Sequence, residues 1–198
     1  MKELIFEDIP QRIDGGYLDG PCKLPSHLEW PIGSNSLPLF HLISVPLLWL
    51  SPNQSKSSLQ NKWISIFISY DKSEYTHYGK MSSDEPEHSD GVVILHEMTG
   101  SERSMHPNQA LISKNVKLIS AKEGDDNVAS YVDSAPTWVQ DPINLIGYKW
   151  VLSVYGPDMD ASLGENRGIL SDGVGYAFLK SNFDVNHSGP VGKFFFRM

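Results

Sequence analysis

Apolar and polar side chains alternate with a period of two along much of this chain, and the alternation is clearest at residues 62–70. One face of that segment carries three isoleucines and a tyrosine, at positions Ile64, Ile66, Ile68 and Tyr70. The other face carries Trp63, Ser65, Phe67 and Ser69. Successive side chains of an extended strand point to opposite faces, so this pattern predicts a β-strand.

The same alternation predicts further strands at residues 4–8, 37–45, 92–97, 148–155, 174–180 and 191–197. A weaker candidate lies at residues 116–119. In the fourth of these segments, one face is expected to carry Tyr148, Trp150, Leu152 and Val154. In the last strand the pattern directs Phe194 and Phe196 into the core.

Helical periodicity is weak throughout the chain. Short helices are predicted at residues 55–60, 108–117 or 125–132, and none of these segments has a long apolar stripe. Two hydrophilic stretches, 71–90 and 156–173, are predicted to be exposed loops, which are often functional when they are this long. The expected fold is therefore α+β and β-rich, with mostly antiparallel sheets and a few short helices in a single compact domain over residues 1–198.

Composition narrows the class of protein. The chain has 198 residues, 40% of them hydrophobic, which is enough apolar bulk to form a core and argues against a disordered chain. Its single cysteine, Cys22, excludes an internal disulfide. We find no signal peptide and no run of about 20 apolar residues that would span a membrane. These features predict a cytoplasmic protein.

The formal net charge of −8 argues against nucleic-acid and anionic-membrane partners and favours a basic protein partner. No glycine-rich nucleotide loop is present, so no nucleotide cofactor is expected. The seven histidines lack the spacing of a zinc site. The segment that starts at Asp158 and Asp160 resembles a calcium loop, but Leu163 and Ile169 stand where glycine and glutamate are required. No metal site is predicted.

Catalytic signatures are also absent from the sequence. No G-x-S-x-G nucleophile elbow occurs. A catalytic triad whose residues meet only in the folded chain stays an alternative. Paired carboxylates that sugar hydrolysis would require are available at Asp125 and Asp126, at Glu85 and Glu87, and at Asp158 and Asp160. Two tryptophans in loop-like contexts, Trp30 and Trp138, are candidates for an aromatic contact with a sugar or a protein, although packing at the edge of the core is the more common role of a single tryptophan.

Several segments in order resemble the YwqG-like family of bacterial domains of unknown function. They are Gly15-Gly16-Tyr17, the run Pro25 to Pro31 that ends in Trp-Pro, the strand Leu37 to Ile43, Ala135 to Gln140, and Ser171 to Leu179. The resemblance implies a compact, β-rich, mixed α+β domain in a bacterial cytoplasm. Some members of that family look as though they are encoded near secreted toxins, which suggests a neutralising role and transfers no mechanism.

These observations predict a non-enzymatic protein-binding domain, in its sharpest form an immunity-type protein that neutralises a bacterial toxin. The expected contact residues are acidic: Asp84, Glu85, Glu87, Asp90, Asp158 and Asp160. Two alternatives stay open. One is a hydrolase acting on a small or sugar-like substrate, and the other is a small-ligand or carbohydrate-binding module that uses Trp30 or Trp138.

Overall fold

The structure is a computed structural model that describes residues 1–50, 56–73, 77–82, 88–98, 101–121 and 129–198. Within these residues lie ten strands: β1 (Lys2–Pro10), β2 (Gly16–Leu18), β3 (Phe40–Pro46), β4 (Lys62–Ile68), β5 (Val92–Glu97), β6 (Lys114–Ser120), β7 (Tyr131–Val132), β8 (Tyr148–Tyr155), β9 (Val174–Lys180) and β10 (Gly189–Arg197). The helices of the described residues are short: α1 (Leu47–Leu50), α2 (Lys56–Leu59), α3 (His77–Met81), α4 (Gly156–Leu163) and a 3₁₀ turn at Gly164–Asn166.

The strands form one closed antiparallel barrel in the order β1-β6-β2-β3-β4-β5-β10-β9-β8-β7. The two-residue strand β7 closes it by pairing with β1 on one side and with β8 on the other. The β-rich character of the prediction is confirmed, but the α+β class with separate sheets is wrong, because the sheet closes on itself and the helices are short additions. Closure depends on long-range pairings, which alternation within a segment does not encode.

The barrel interior is filled by one face of every long strand. Its buried side chains include Leu4, Phe40, Ile64, Ile66, Val93, Leu95, Val116, Leu152, Val154, Ala177, Phe194 and Phe196. Met159 and Leu163 of α4 join the same cluster, and α4 packs against β1 and β8. Each such side chain contributes about 1.5–3 kcal/mol when it is removed from water. The expected inward direction of Phe194 and Phe196 is confirmed.

Much of the outer surface of the barrel is covered as well. Residues 20–39, here called the cover loop, lie over β4 and β5 and place Cys22, Leu24, Trp30 and Leu39 against Phe67 and Ile94. Arg103 holds this loop by donating from Nη2 to the carbonyl oxygens of Pro25 (3.0 Å) and Leu28 (2.8 Å). Both faces of β4 are therefore buried, which explains why Trp63 and Phe67 on its outer face are shielded like the isoleucines on its inner face.

A β-bulge corrects the predicted face of β8. Trp150 lies opposite Phe178, whereas Leu152 lies opposite Ala177, so one extra residue separates them. Because a bulge shifts the alternation by one position, Trp150 packs on the outside and Leu152 packs in the interior. The prediction that Tyr148, Trp150, Leu152 and Val154 share a face is therefore wrong.

Several other predicted boundaries also change. The helix predicted at 55–60 is confirmed as α2, whereas residues 114–117 of the segment 108–117 belong to a strand. The predicted loop at 156–173 begins with α4, and the predicted loop at 71–90 contains α3 within its described part. Of the segment 125–132, residues 122–128 lie outside the described residues and Tyr131–Val132 is strand β7. No helix of the described residues has the length and apolar character needed to cross a membrane.

We predict that a chain truncated before Phe194 does not fold. The deletion removes most of the segment of β10 that pairs with β9 and takes Phe194 and Phe196 out of the interior. Expression followed by separation of soluble and insoluble fractions tests this. A truncated chain that stays soluble with the far-ultraviolet spectrum of the full chain would show that β10 is dispensable.

We also predict that Gly175→Ala destabilises the barrel by about 1–3 kcal/mol, as overpacking of a core does. A Cβ atom at this position in β9 would lie 2.0 Å from Cζ of Phe194, whose ring fills the space above the glycine. Gly79→Ala in α3 is the matched control, because nothing lies within 4 Å of that position. Thermal denaturation should give a lower Tm for the first variant only, and equal Tm values would contradict this packing.

Candidate functional site

A pocket opens between the 107–112 loop and the C-terminal end of α4 with its 3₁₀ turn. It has a volume of about 510 Å³. Its wall combines polar side chains, among them Asp19, Gln109 and Asn166, with the apolar side chains of Leu111 and Leu163. We call it the Asp19 pocket. Its size suits the end of a side chain or a small ligand.

Asp19 lies in the wall of this pocket with 1% of its surface exposed. It follows the last residue of β2 and has a φ of 52°, a left-handed conformation that aspartate tolerates better than most residues. Its Oδ1 accepts hydrogen bonds from the main-chain nitrogens of Gly20 (2.5 Å) and Ala110 (3.1 Å) and from Nε2 of Gln109 (2.5 Å). Its Oδ2 accepts one from Nδ2 of Asn166 (2.7 Å).

All four donors to this carboxylate are uncharged amide groups. Among the described residues, no lysine, arginine or histidine forms an ion pair with Asp19. The two lysines in the pocket wall have carboxylates of their own: Lys72 lies 3.5 Å from Glu165 and Lys114 lies 2.5 Å from Asp8. The pocket therefore contains a buried negative charge that is hydrogen-bonded and not neutralised, which favours a cationic ligand.

Ser162 supplies a second polar group to the same wall. The residue is 1% exposed, and its Oγ has no hydrogen-bond partner among the described residues. A buried hydroxyl without a partner destabilises a protein by about 1–3 kcal/mol. Near it, Leu111 is 92% exposed and presents apolar surface at the mouth of the pocket. The wall thus contains a buried hydroxyl without a partner among the described residues, and it presents apolar surface that a hydrocarbon stem can contact.

A second polar cluster lies beneath the cover loop, on the outer faces of β3, β4 and β5. The four side chains His41, Ser44, Ser65 and His96, here called the His–Ser chain, follow one another in hydrogen-bonding distance. Nε2 of His41 lies 2.8 Å from Oγ of Ser44, the two Oγ atoms lie 2.5 Å apart, and Oγ of Ser65 lies 2.7 Å from Nε2 of His96. All four residues are fully buried.

Two further groups touch this chain from the side. The Sγ atom of Cys22 lies 3.4 Å from Oγ of Ser65, and the hydroxyl of Tyr17 donates to that sulfur at 3.7 Å. Burial raises the pKa of the Cys22 thiol and raises that of Tyr17 well above its usual value, so both stay protonated at neutral pH. Burial also lowers the pKa of His41 to about 4 and that of His96 to about 4.

Ser65 and His96 have the spacing of a nucleophile and its base. Neither residue has any surface exposed, and the cover loop and its apolar cluster lie over this part of the sheet. A substrate therefore has no route to the Ser65 hydroxyl in this structure. The Asp19 pocket is the better candidate for a functional site.

The two clusters share hydrogen-bonding groups. Gln109 donates from Nε2 to Asp19 and also to the carbonyl oxygen of His41 (2.9 Å), while its Oε1 accepts from the main-chain nitrogen of His41 (2.9 Å). Nδ1 of His41 lies 3.2 Å from the carbonyl oxygen of Gly20, the residue next to Asp19. Gln109 and Gly20 therefore each contact both clusters.

The structure places Asp90 against the cover loop and places Asp158 and Asp160 together in α4. Asp90 is 8% exposed and accepts hydrogen bonds from the main-chain nitrogen and the hydroxyl of Ser34, both at 2.9 Å. Asp158 lies in α4 and accepts a hydrogen bond from Ser130 (2.6 Å). Asp160, in the same helix, accepts one from the main-chain nitrogen of Gly168 (2.9 Å). Asp84, Glu85 and Glu87 lie outside the described residues.

The structure packs both candidate tryptophans against other aromatic rings. Trp30 is 6% exposed, donates from Nε1 to the carbonyl oxygen of Leu39 (2.8 Å) and meets Phe67 edge to face. Trp138 is half-buried, with its ring 4.8 Å from that of Tyr176 and 6.3 Å from that of Phe178. Both help to cover the outer face of the barrel.

Metal chemistry has no evident site in the part of the chain that the structure describes. There, no group of three or more histidine, cysteine, aspartate or glutamate side chains is arranged to hold a metal ion.

Comparison with protein-family models and with curated proteins finds no match for this chain. The resemblance to the YwqG-like family therefore stays a prediction.

Sequence reasoning did not single out four polar side chains of the Asp19 pocket: Asp19, Gln109, Ser162 and Asn166. They come from three separate segments of the chain, and the contact between those segments forms only in the fold. The sequence contains a weak signal for the His–Ser chain, because Ser44, Ser65 and His96 are polar residues within otherwise largely apolar strands. Polar residues in a strand buried on both faces must find partners, so such positions indicate a buried polar network.

We predict that the protein loses stability as the pH falls from about 6.5 toward 4. The unfolded chain gains protons on His41 and His96 in this range, whereas the folded chain resists them because the pKa of each is lowered to about 4. Each histidine contributes a slope of up to about 1.4 kcal/mol per pH unit. Urea denaturation at several pH values measures this slope.

His41→Gln should reduce that slope, whereas His187→Gln, which changes an exposed histidine, should leave it unchanged. The readout is the slope and not the absolute stability, since a core substitution lowers stability by itself. An unchanged slope in the His41 variant would show that this imidazole titrates equally in the folded and unfolded chains.

Proposed function

We propose that this domain is a non-enzymatic protein-binding module that takes a basic side chain of its partner into the Asp19 pocket. The observation that carries the proposal is the buried carboxylate of Asp19, which lies in a pocket wall and is held by four uncharged donors. A partner's ammonium group would supply the charge that the domain itself does not provide.

The rest of the pocket suits the same ligand. A lysine side chain carries its charge on a hydrocarbon stem, which packs along apolar surface. Leu111, Ile112 and Leu163 offer such surface in the pocket wall, and the same wall contains Ser162, whose buried Oγ has no hydrogen-bond partner among the described residues. The net charge of −8 adds long-range attraction of a basic protein, which salt would screen.

The sharper form of the proposal is an immunity-type protein in the bacterial cytoplasm that neutralises a basic toxin. It is supported by the acidic charge, the single cysteine and the resemblance to the YwqG-like family. The Asp19 pocket would then receive a lysine or arginine of the toxin. Both forms of the proposal require the pocket to bind a basic side chain, and a single binding experiment tests this requirement.

The test uses the full chain and two small probes, Nα-acetyl-lysine methylamide and its uncharged counterpart Nα-acetyl-norleucine methylamide. We expect the lysine probe to shift the amide resonances of Gln109, Ala110 and Gly164 in a two-dimensional NMR titration. The norleucine probe should bind at least about tenfold more weakly, since a charge-assisted hydrogen bond contributes more than about 1.4 kcal/mol.

Asp19→Asn should abolish the preference for the lysine probe, whereas Asp172→Asn should retain it. The second variant removes the same charge from an exposed position outside the pocket, so it controls for net charge. Leu111→Ala, at a solvent-exposed position, should weaken both probes without a change in fold. Equal binding of the two probes, or shifts confined to residues outside the pocket, would refute the proposal.

A further inference from the structure

The His–Ser chain contains three contacts between heavy atoms and only two hydroxyl hydrogens to fill them. Nδ1 of His41 faces the carbonyl oxygen of Gly20 at 3.2 Å, and Nδ1 of His96 faces that of Glu97 at 3.0 Å. A carbonyl oxygen accepts and never donates, so both Nδ1 atoms carry hydrogens. In the neutral imidazoles, both Nε2 atoms are then acceptors.

Each serine hydroxyl consequently points at its own histidine, and the contact between the two serines has no hydrogen of its own. These two Oγ atoms lie 2.5 Å apart, the distance of a strong hydrogen bond. Cys22 does not supply this hydrogen, because its Sγ lies to the side, 3.4 Å from Ser65 and 4.0 Å from Ser44. Two oxygens that face each other through lone pairs in a fully buried site repel each other.

One more proton completes the chain. With a hydrogen on Nε2 of His41, that nitrogen donates to Ser44, Ser44 donates to Ser65, and Ser65 donates to His96. Reversing both hydroxyls places the proton on His96 and fills the same three contacts. We propose that the His–Ser chain binds one additional proton, shared between His41 and His96, and that this proton and a cationic ligand of the Asp19 pocket oppose each other's binding.

The proton comes from solvent, forms an N–H bond on one imidazole and leaves no other bond broken. The titratable and charged groups around the chain act in different directions. Asp19 attracts a proton to His41, whereas a charge on His41 opposes a second proton on His96. Tyr17 and Cys22 are uncharged, and Glu97 beside His96 is paired with Lys62 at 2.9 Å. The chain therefore accepts one proton and not two.

The link to the pocket rests on the proposed function. Asp19 favours the proton on His41, and a cation bound at Asp19 cancels that attraction. By reciprocity, a proton in the chain weakens the binding of the cation by the same factor. Affinity for a basic side chain should then fall as the pH falls, which makes the pocket a site that releases its ligand in acid.

The first arm of the test needs no ligand. Histidine side-chain nitrogen resonances of the full chain are followed by NMR from pH 8 down to the onset of unfolding. We expect His41 and His96 to be Nδ1–H tautomers at high pH and to shift together through one transition that corresponds to one proton. A neutral Nε2–H tautomer of His41, or two independent transitions, would overturn the shared proton.

Ser65→Ala should uncouple the titration of the two histidines, because it removes the hydroxyl that links Ser44 to His96. The remaining contact, between Ser44 and His41, then has its own hydroxyl hydrogen. Proton uptake should then move to lower pH by at least about one unit, the equivalent of one lost hydrogen bond. Ser44→Ala is the second variant and should act alike. Ser153→Ala, at a buried serine of β8 outside the chain, should leave the transition unchanged.

The second arm measures the affinity of the lysine probe across the same pH range. We expect it to weaken by about fivefold through the transition, the lower end of typical coupling, and to lose this dependence in Ser65→Ala. A probe that binds with no pH dependence would overturn the link while leaving the pocket intact. A probe that does not bind would overturn the proposed function and the link together, and the first arm would still decide the shared proton.

Discussion

Burial of strands β4 and β5 on both faces is the constraint on which the rest of this structure depends. Closure of the barrel buries the inner face, and the cover loop buries the outer face of β4 and β5. Any polar group on these strands must then find a partner within the protein, because water does not reach it. Ser44, Ser65 and His96 meet that requirement by bonding to one another, so the His–Ser chain is a product of the architecture.

The same constraint accounts for the Asp19 pocket. The chain leaves β2 at Asp19, turns through a positive φ, and meets the 107–112 loop and the 3₁₀ turn after α4. Gln109 and Asn166 are fixed by this junction and hold the carboxylate in place. A charge that is immobilised by neutral donors in a cavity is suited to recognition, since it is already oriented before a ligand arrives.

Gln109 and Gly20 form hydrogen bonds with Asp19 in the pocket and with His41 in the His–Ser chain. These two residues therefore connect the buried polar cluster to the candidate binding site. Among the acidic residues favoured by sequence reasoning, Asp90, Asp158 and Asp160 each accept a hydrogen bond from a neighbouring loop or turn. Asp19, the buried carboxylate in the wall of the pocket, has nothing in its local sequence to distinguish it.

The sequence by itself did not predict the short strands β2 and β7, but it located most of the longer ones, because apolar alternation is a local property: the predicted segments 62–70, 92–97, 148–155 and 174–180 contain β4, β5, β8 and β9. It also determined that Phe194 and Phe196 belong to the core. The tertiary structure decided what local patterns do not contain: the closure through β7, the bulge that turns Trp150 outward, and the meeting of Asp19 with Asn166 across the chain. These depend on pairings between distant segments, whose free energy arises only when the whole barrel forms.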